Sequence, residues 1–220
     1  MKPLLLLAVL SVAAIAEARE FAVSGLPDGW QAKIEVACDA EACGGPGTVV
    51  LSKGEVQQSL RSPDLTFTLP KLPDGGRQLS HEDAPLLMAD FNFDGLPDVA
   101  LNRGNLGPYG SPTADVYVQT RAGRLVYSRE LSELTDNYMG MFQVDNTHKL
   151  LITFGKSGCC FHVEDHWQVV PGRGLQYVYS REVDSRGSRV EVREKTWRNG
   201  RWHQRRQNYT PQEWERRQVP

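Results

Sequence analysis

The sequence predicts an all-β fold of antiparallel sheets, sandwich-like or built like propeller blades, with one calcium loop and a short C-terminal helix. Three observations predict it. Strand-length segments alternate or run apolar along most of the chain. Turn dipeptides, Lys53-Gly54, Ala122-Gly123, Arg186-Gly187 and the run 171–174, separate them. One stretch, residues 90–98, spaces its oxygen-bearing side chains for a hard cation.

The strand segments come in order. Residues 32–36, 48–51, 65–69, 115–118, 150–154, 167–170 and 175–179 carry the pattern, and Leu86-Leu87-Met88 and Val99-Ala100-Leu101 read as short buried strands. Near the end, Asn199-Gly200 lies between Trp197 and Trp202, the strongest short hairpin signal. Only the tail after Thr210-Pro211 reads as helical, for two turns at most. A single calcium loop argues against a full propeller, which would repeat it.

Residues 1–18 read as a secretory signal. Lys2 gives a positive start, 4–15 is apolar, and Ala16-Glu17-Ala18 has the small-x-small cleavage pattern. The apolar run is short of the roughly 20 residues a membrane span needs. Residues 19–220 are then one exported domain with no membrane span. Its four cysteines read as two disulfides in an oxidising compartment. Cys38 and Cys43 flank a short loop, and Cys159 and Cys160 are adjacent. Loop-closure entropy favours cross-pairing as a stabiliser; the reading leans to the two local pairs, and the sequence leaves the choice open.

The chain carries a formal charge of −2, unevenly spread. Residues 1–180 hold 14 Lys and Arg against 21 Asp and Glu, whereas 181–220 hold 11 against 6. In the basic C-terminal segment charged residues alternate with Val190, Val192, Thr196 and Trp202, the pattern of a sheet with one wet face. Glu191 and Glu194 interrupt it, and no nucleic-acid partner is expected.

In the candidate loop Asp90, Asn92 and Asp94 alternate, Gly95 permits the sharp turn, the Leu96 carbonyl takes position seven and Asp98 position nine. Position twelve is Leu101, where a helix-loop-helix site would carry a glutamate. The loop therefore looks like the strand-flanked calcium loops of FG-GAP repeats. An Asp-Gly hairpin turn with exposed carboxylates is the plainer alternative.

Directly after it, residues 102–112 hold three glycines and two prolines around Tyr109. A rigid loop can present an aromatic anchor at low entropic cost. Tyr and Arg are enriched at binding hot spots, which singles out Tyr109 and Arg103 with Gly107, Gly110 and Ser111. The alternative is that Tyr109 folds back and caps the core. A second loop, 154–162, contains Ser157, Gly158 and the cysteine pair; its Gly-Lys-Ser lacks the glycine spacing and helix of a phosphate loop. It reads as a disulfide-pinned turn, with Ser157 and Gly158 as the second candidate for partner contact after the Tyr109 loop.

Catalytic patterns are poor. The histidines at 81, 148, 162, 166 and 203 do not fall on zinc spacing with the cysteines, and no nucleophile elbow occurs. His162 and His166, four apart on a strand, would sit about 13 Å apart. No enzyme is expected.

The series formed by the signal peptide, residues 90–98, Gly107-Pro-Tyr-Gly-Ser-Pro112 leading to Asp115-Val-Tyr117, and Thr153 to Cys160 resembles a family of bacterial periplasmic immunity proteins. Those proteins accompany lysozyme-like effectors of type IV secretion systems, and the likeness runs from about Leu86 to about Trp202. It implies a propeller-blade-like all-β fold, akin to inhibitors of invertebrate-type lysozyme, with one bound Ca2+ held by Asp90, Asn92, Asp94, Leu96 and Asp98. It also implies a loop, Tyr109 and its glycine neighbours, that enters the cleft of a peptidoglycan glycosidase. Many lysozymes are basic, so the acidic middle of this chain would steer association. Members of that family can be lipoproteins; no lipobox cysteine occurs here, which favours a free periplasmic or secreted form. The competing expectation is a calcium-dependent carbohydrate-binding or adhesion module of FG-GAP type.

Overall fold

The computed structural model describes residues 17–39, 42–70 and 78–218. The expected leader lies outside them except for Glu17 and Ala18, which pair with Cys38 and Ala37 at the start of the first strand. Among the described residues no helix is long and apolar enough to cross a membrane.

Among the described residues sixteen strands form three sheets. The first sheet has the order β4 (Val56–Ser62), β3 (Ala42–Lys53), β2 (Gln31–Asp39), β1 (Glu17–Ser24) and β6 (Gln78–Ser80), with β5 (Phe67–Thr68) on β3. All its pairings are antiparallel except β1 with β6. The second sheet runs β10 (Leu125–Tyr127), β9 (Ala114–Gln119), β8 (Asp98–Asn102) and β7 (Leu86–Ala89). The third is a meander of β11 (Gln143–Asp145), β12 (Leu150–Ser157), β13 (Phe161–Val170), β14 (Gly174–Asp184), β15 (Val190–Arg198) and β16 (Arg201–Tyr209). The fold is all-β and sandwich-like, as its alternation predicts.

The second sheet is the middle layer, because its two faces feed two different cores. Val99 and Leu101 join Phe21, Ile34, Val49, Leu51 and Leu79 of the first sheet. Ala100 and Val116 point the other way and pack with Phe91, Phe142, Leu151 and Leu134. A strand covered on both faces reads as a continuous apolar run, which is why Val99-Ala100-Leu101 does not alternate.

One helix escapes the sequence reading. Helix α1 spans Arg129–Asn137, in addition to the expected C-terminal α2, Pro211–Gln218. Its buried side chains are Leu131, Ser132, Leu134 and Thr135, so half of the inward face is hydroxyl and the apolar stripe is too thin to register. The hydroxyls have a partner. Strand β10 pairs with β9 only from Tyr117 onward, and where it stops, Val116 N–H donates to Ser132 Oγ and Ala114 N–H to Thr135 Oγ1. The helix completes a sheet edge with side-chain oxygens, so neither of these N–H groups is stranded.

Two smaller details refine the expectations. The segment 65–69 contributes only Phe67–Thr68 as strand, while Leu65 is fully buried in the first core. The Asn199-Gly200 hairpin has both residues at positive φ, 52° and 74°, the requirement of the turn that matches strand twist.

Candidate functional site

The loop 90–98 connects β7 to β8 and is knitted by its own carboxylates. Asp90 accepts from Asp94 N–H through Oδ1 at 3.1 Å and from Gly95 N–H through Oδ2 at 2.8 Å. Asn92 Oδ1 accepts from the same Asp94 N–H at 3.0 Å, and Asp94 Oδ1 accepts from Leu96 N–H at 2.9 Å. The Asp90 and Asn92 oxygens thus meet on one N–H, while the Asp94 carboxylate closes its own turn and accepts from Asn92 Nδ2 at 3.1 Å. Gly95 has φ +87° and Phe93 +61°, so the turn uses the left-handed region twice.

Asp98 behaves differently. It is fully buried, and its carboxylate accepts from Phe91 N–H, Asn92 N–H and Gln119 N–H at 2.9, 3.2 and 2.8 Å. Burial pushes its pKa up to about 6 although those three bonds favour the charged form. Its first task is to lock the loop 90–98 onto β9.

The donor set suits a hard cation in kind: carboxylate and amide oxygens, with the Leu96 carbonyl next in register. Asp90 and Asp94 accept only from backbone N–H groups and Asn92 Nδ2, with no ion pair to either among the described residues. A divalent ion held there would favour the ionised form of Asp98. The set is thin in acids, however. Among the described residues no three His, Cys, Asp or Glu side chains gather as a metal site, so Asn92 and backbone oxygen would have to complete the shell.

The next loop is fastened at its base. Arg103 N–H donates to Thr113 O and Thr113 N–H to Gly104 O, so the excursion 104–112 is a closed lobe. The Arg103 guanidinium turns inward and pairs with Asp115 and Asp136. Its Nε lies 3.1 Å from Asp115 Oδ1, within reach of charge attraction but not aligned as a hydrogen bond. Burial raises the Asp115 pKa, and Arg103 opposes the shift. Arg103 therefore braces the lobe from beneath. Gly107 is needed for space: a Cβ there would lie 2.5 Å from Ser111 Oγ and 3.1 Å from Ser111 O. Ser111 Oγ in turn donates to Tyr138 O at 3.3 Å.

Tyr109 stands at the tip, 63% exposed, with φ +57°. It does not cap the core. A tyrosine in the left-handed region costs about 1–2 kcal/mol, and such strain is often kept where a side chain has a task. Relieving it should be measurable. Tyr109→Gly is expected to be more stable than Tyr109→Ala by about 1 kcal/mol in urea unfolding, since both lose the ring and only glycine accepts the backbone freely.

The two loops singled out in the sequence meet. Gly158 N–H donates to the Tyr109 hydroxyl at 2.7 Å across 49 residues of sequence, and Lys156 Nζ sits 4.8 Å from the Tyr109 ring centroid. Gly158 has φ +64° and belongs to the turn between β12 and β13, closed by the Cys159–Cys160 disulfide. Cys160 O is held by Ser185 N–H and Oγ. Cys38–Cys43 forms the other bridge, between β2 and β3 beside a register shift. The local pairing is the one adopted. Ser157, Gly158 and Gly110 are exposed, as are Leu106 at 70% and Phe154 at 39%. The result is one composite surface of Tyr109, Lys156, Gly158 and flanking apolar residues.

A buried support under this surface was not foreseen. Asp165 accepts from Tyr138 and Tyr177 hydroxyls at 2.7 and 2.8 Å. Both phenols are held above their ordinary pKa, burial first and the Asp165 bond after it, Tyr177 up to about 12. Tyr138 also lines the space beside Gly155 on β12. The two tyrosines lie 27 and 12 residues from Asp165 in sequence, and no local spacing marks them.

No protein-family model and no curated protein sequence matches this chain. Among solved structures, the fold is similar to that of a Xanthomonas type IV secretion system related protein, with a TM-score of 0.65 at 20% identity. The match covers 84% of this chain and 92% of that one. At that identity the likeness concerns the fold.

Proposed function

We propose that the protein is an exported, calcium-binding inhibitor of a lysozyme-like peptidoglycan glycosidase, and that it protects the cell that makes it. The observation that carries the reading is the Tyr109–Gly158 contact, which fuses two separate loops into one exposed, braced surface. A hydroxyl offers one donor and two acceptor positions. Gly158 uses an acceptor position, so the Tyr109 proton is free to bond a carboxylate of a catalytic cleft. The two disulfides agree with export, and the fold is shared with a secretion-related protein. The test is lysis of purified peptidoglycan by the lysozyme-like enzyme encoded beside this protein's gene, or else by an invertebrate-type lysozyme, with equimolar protein and Ca2+. Inhibition with a stable complex is the expected result. Absence of both, with direct binding to purified glycans, would favour the carbohydrate-binding module instead.

Calcium is assigned a structural role in this reading. Asp90, Asn92, Asp94, the Leu96 carbonyl and Asp98 would hold it, fixing the start of β8, whose far end launches the Tyr109 lobe. At 100 times its Kd the ion should add about 2.7 kcal/mol, which raises Tm by roughly 5–10 °C in a domain of this size. Asp94→Ala should abolish that rise and weaken inhibition. A calcium-induced shift of equal size in Asp94→Ala would remove the loop as the site.

A further inference from the structure

We propose that Lys156 is the ionic anchor of this surface and that its counterpart is an ionised catalytic carboxylate in the glycosidase cleft. The inference rests on the inhibitor reading above and names the chemistry of the partner's site. Lys156 is exposed near the end of β12 and forms no ion pair among the described residues. The acid nearest in register on that side of the sheet, Glu164, faces Phe154 across the β12–β13 ladder and is engaged by His166 Nε2 at 2.7 Å. The other cations near the lobe and turn are occupied: Arg103 by Asp115 and Asp136, Arg186 by Asp184. Among the described residues of the lobe and turn, Lys156 is the lysine or arginine that faces outward with no ion pair.

Its freedom is narrowed before any partner arrives. The ammonium lies over the Tyr109 ring, a contact that limits the stem's freedom without neutralising the charge. The ring is itself held by Gly158 N–H. An ammonium with its attitude fixed loses less entropy on binding than a free lysine. The exposed side chains of Tyr109 and of Phe154, two residues before Lys156 on the same strand, can exclude water around it once docked. A glycosidase cleft holds two carboxyl groups with different charge, one protonated as acid and one ionised. Lys156 matches the ionised group and the Tyr109 hydroxyl can bond the other. A flat acidic surface would satisfy the charge but not the protruding Tyr109 tip.

The experiment is inhibition of the same enzyme by wild type, Lys156→Met, Lys156→Arg and Lys156→Glu at two salt concentrations, with Tm as a folding control. Methionine keeps an apolar stem against the ring and removes the charge. The expected result is unchanged Tm, an inhibition constant weakened about 30-fold or more in Lys156→Met, a larger loss in Lys156→Glu, and recovery in Lys156→Arg. The salt dependence of wild type should flatten in Lys156→Met. Wild-type inhibition matched by Lys156→Met, or by Lys156→Glu, overturns the ionic anchor and leaves the inhibitor reading standing. No inhibition by wild type overturns both.

Discussion

Asp98→Ala is expected to lower the unfolding free energy by about 4 kcal/mol or to leave the protein insoluble. The substitution removes the acceptor for three backbone N–H groups, at Phe91, Asn92 and Gln119, in a site closed to solvent. Each donor stranded in an apolar environment costs about 1–3 kcal/mol, and a small methyl also leaves a cavity. Water admitted to the vacated space would recover part of that, which is why the figure is below the simple sum. Asp98→Asn separates the causes. Its one remaining side-chain oxygen can still serve the Phe91 and Asn92 N–H groups while Gln119 loses its partner, so a smaller loss is expected. Urea unfolding of the three proteins in chelator reads this without any contribution from calcium. A loss below about 1 kcal/mol for Asp98→Ala would mean that the loop and β9 are not held together in this way.

Tyr109→Ala is expected to weaken inhibition of the target glycosidase by about 100-fold or more, the range of a central hot-spot residue. Three things go at once: the exposed ring, the hydroxyl that ties the lobe to the β12–β13 turn, and the face on which Lys156 rests. The substitution changes no buried contact, so the folded protein should survive it. Tyr109→Phe keeps the ring and the cation contact but loses the hydroxyl that ties the lobe to Gly158, whose exposed N–H then turns to water, and an intermediate loss is expected. If Tyr109→Ala inhibited as well as wild type while Tm was unchanged, the binding site would lie elsewhere on the protein.

The parts that the sequence made legible are those encoded within a dozen residues. Alternating Asp90, Asn92 and Asp94 before Gly95 define a loop that folds on itself, and Asn199-Gly200 defines its own hairpin. Alternation and turn chemistry gave the strands because each is a local property of the backbone. The unread parts depend on partners far away in the chain. Helix α1 hid its inward face in Ser132 and Thr135, whose purpose is visible only once β10 is seen to stop short of Ala114 and Val116. Arg103 looked like an outward anchor beside Tyr109, yet Asp136, 33 residues on, draws it under the lobe. Asp98 fitted a ligand position by spacing, whereas its burial and three N–H partners are facts of the tertiary structure. Tyr109 and Gly158 were each singled out alone; only the fold joins them.

Blockade of a catalytic cleft has a kinetic signature. The direct measurement is the inhibition constant of the wild-type protein against the glycosidase at several concentrations of a soluble peptidoglycan fragment. Entry of the Tyr109 tip into the cleft predicts competition, with the apparent constant rising in proportion to substrate and kcat unchanged at saturation. A fall in kcat with no effect of substrate on binding would contradict it and place the contact outside the cleft.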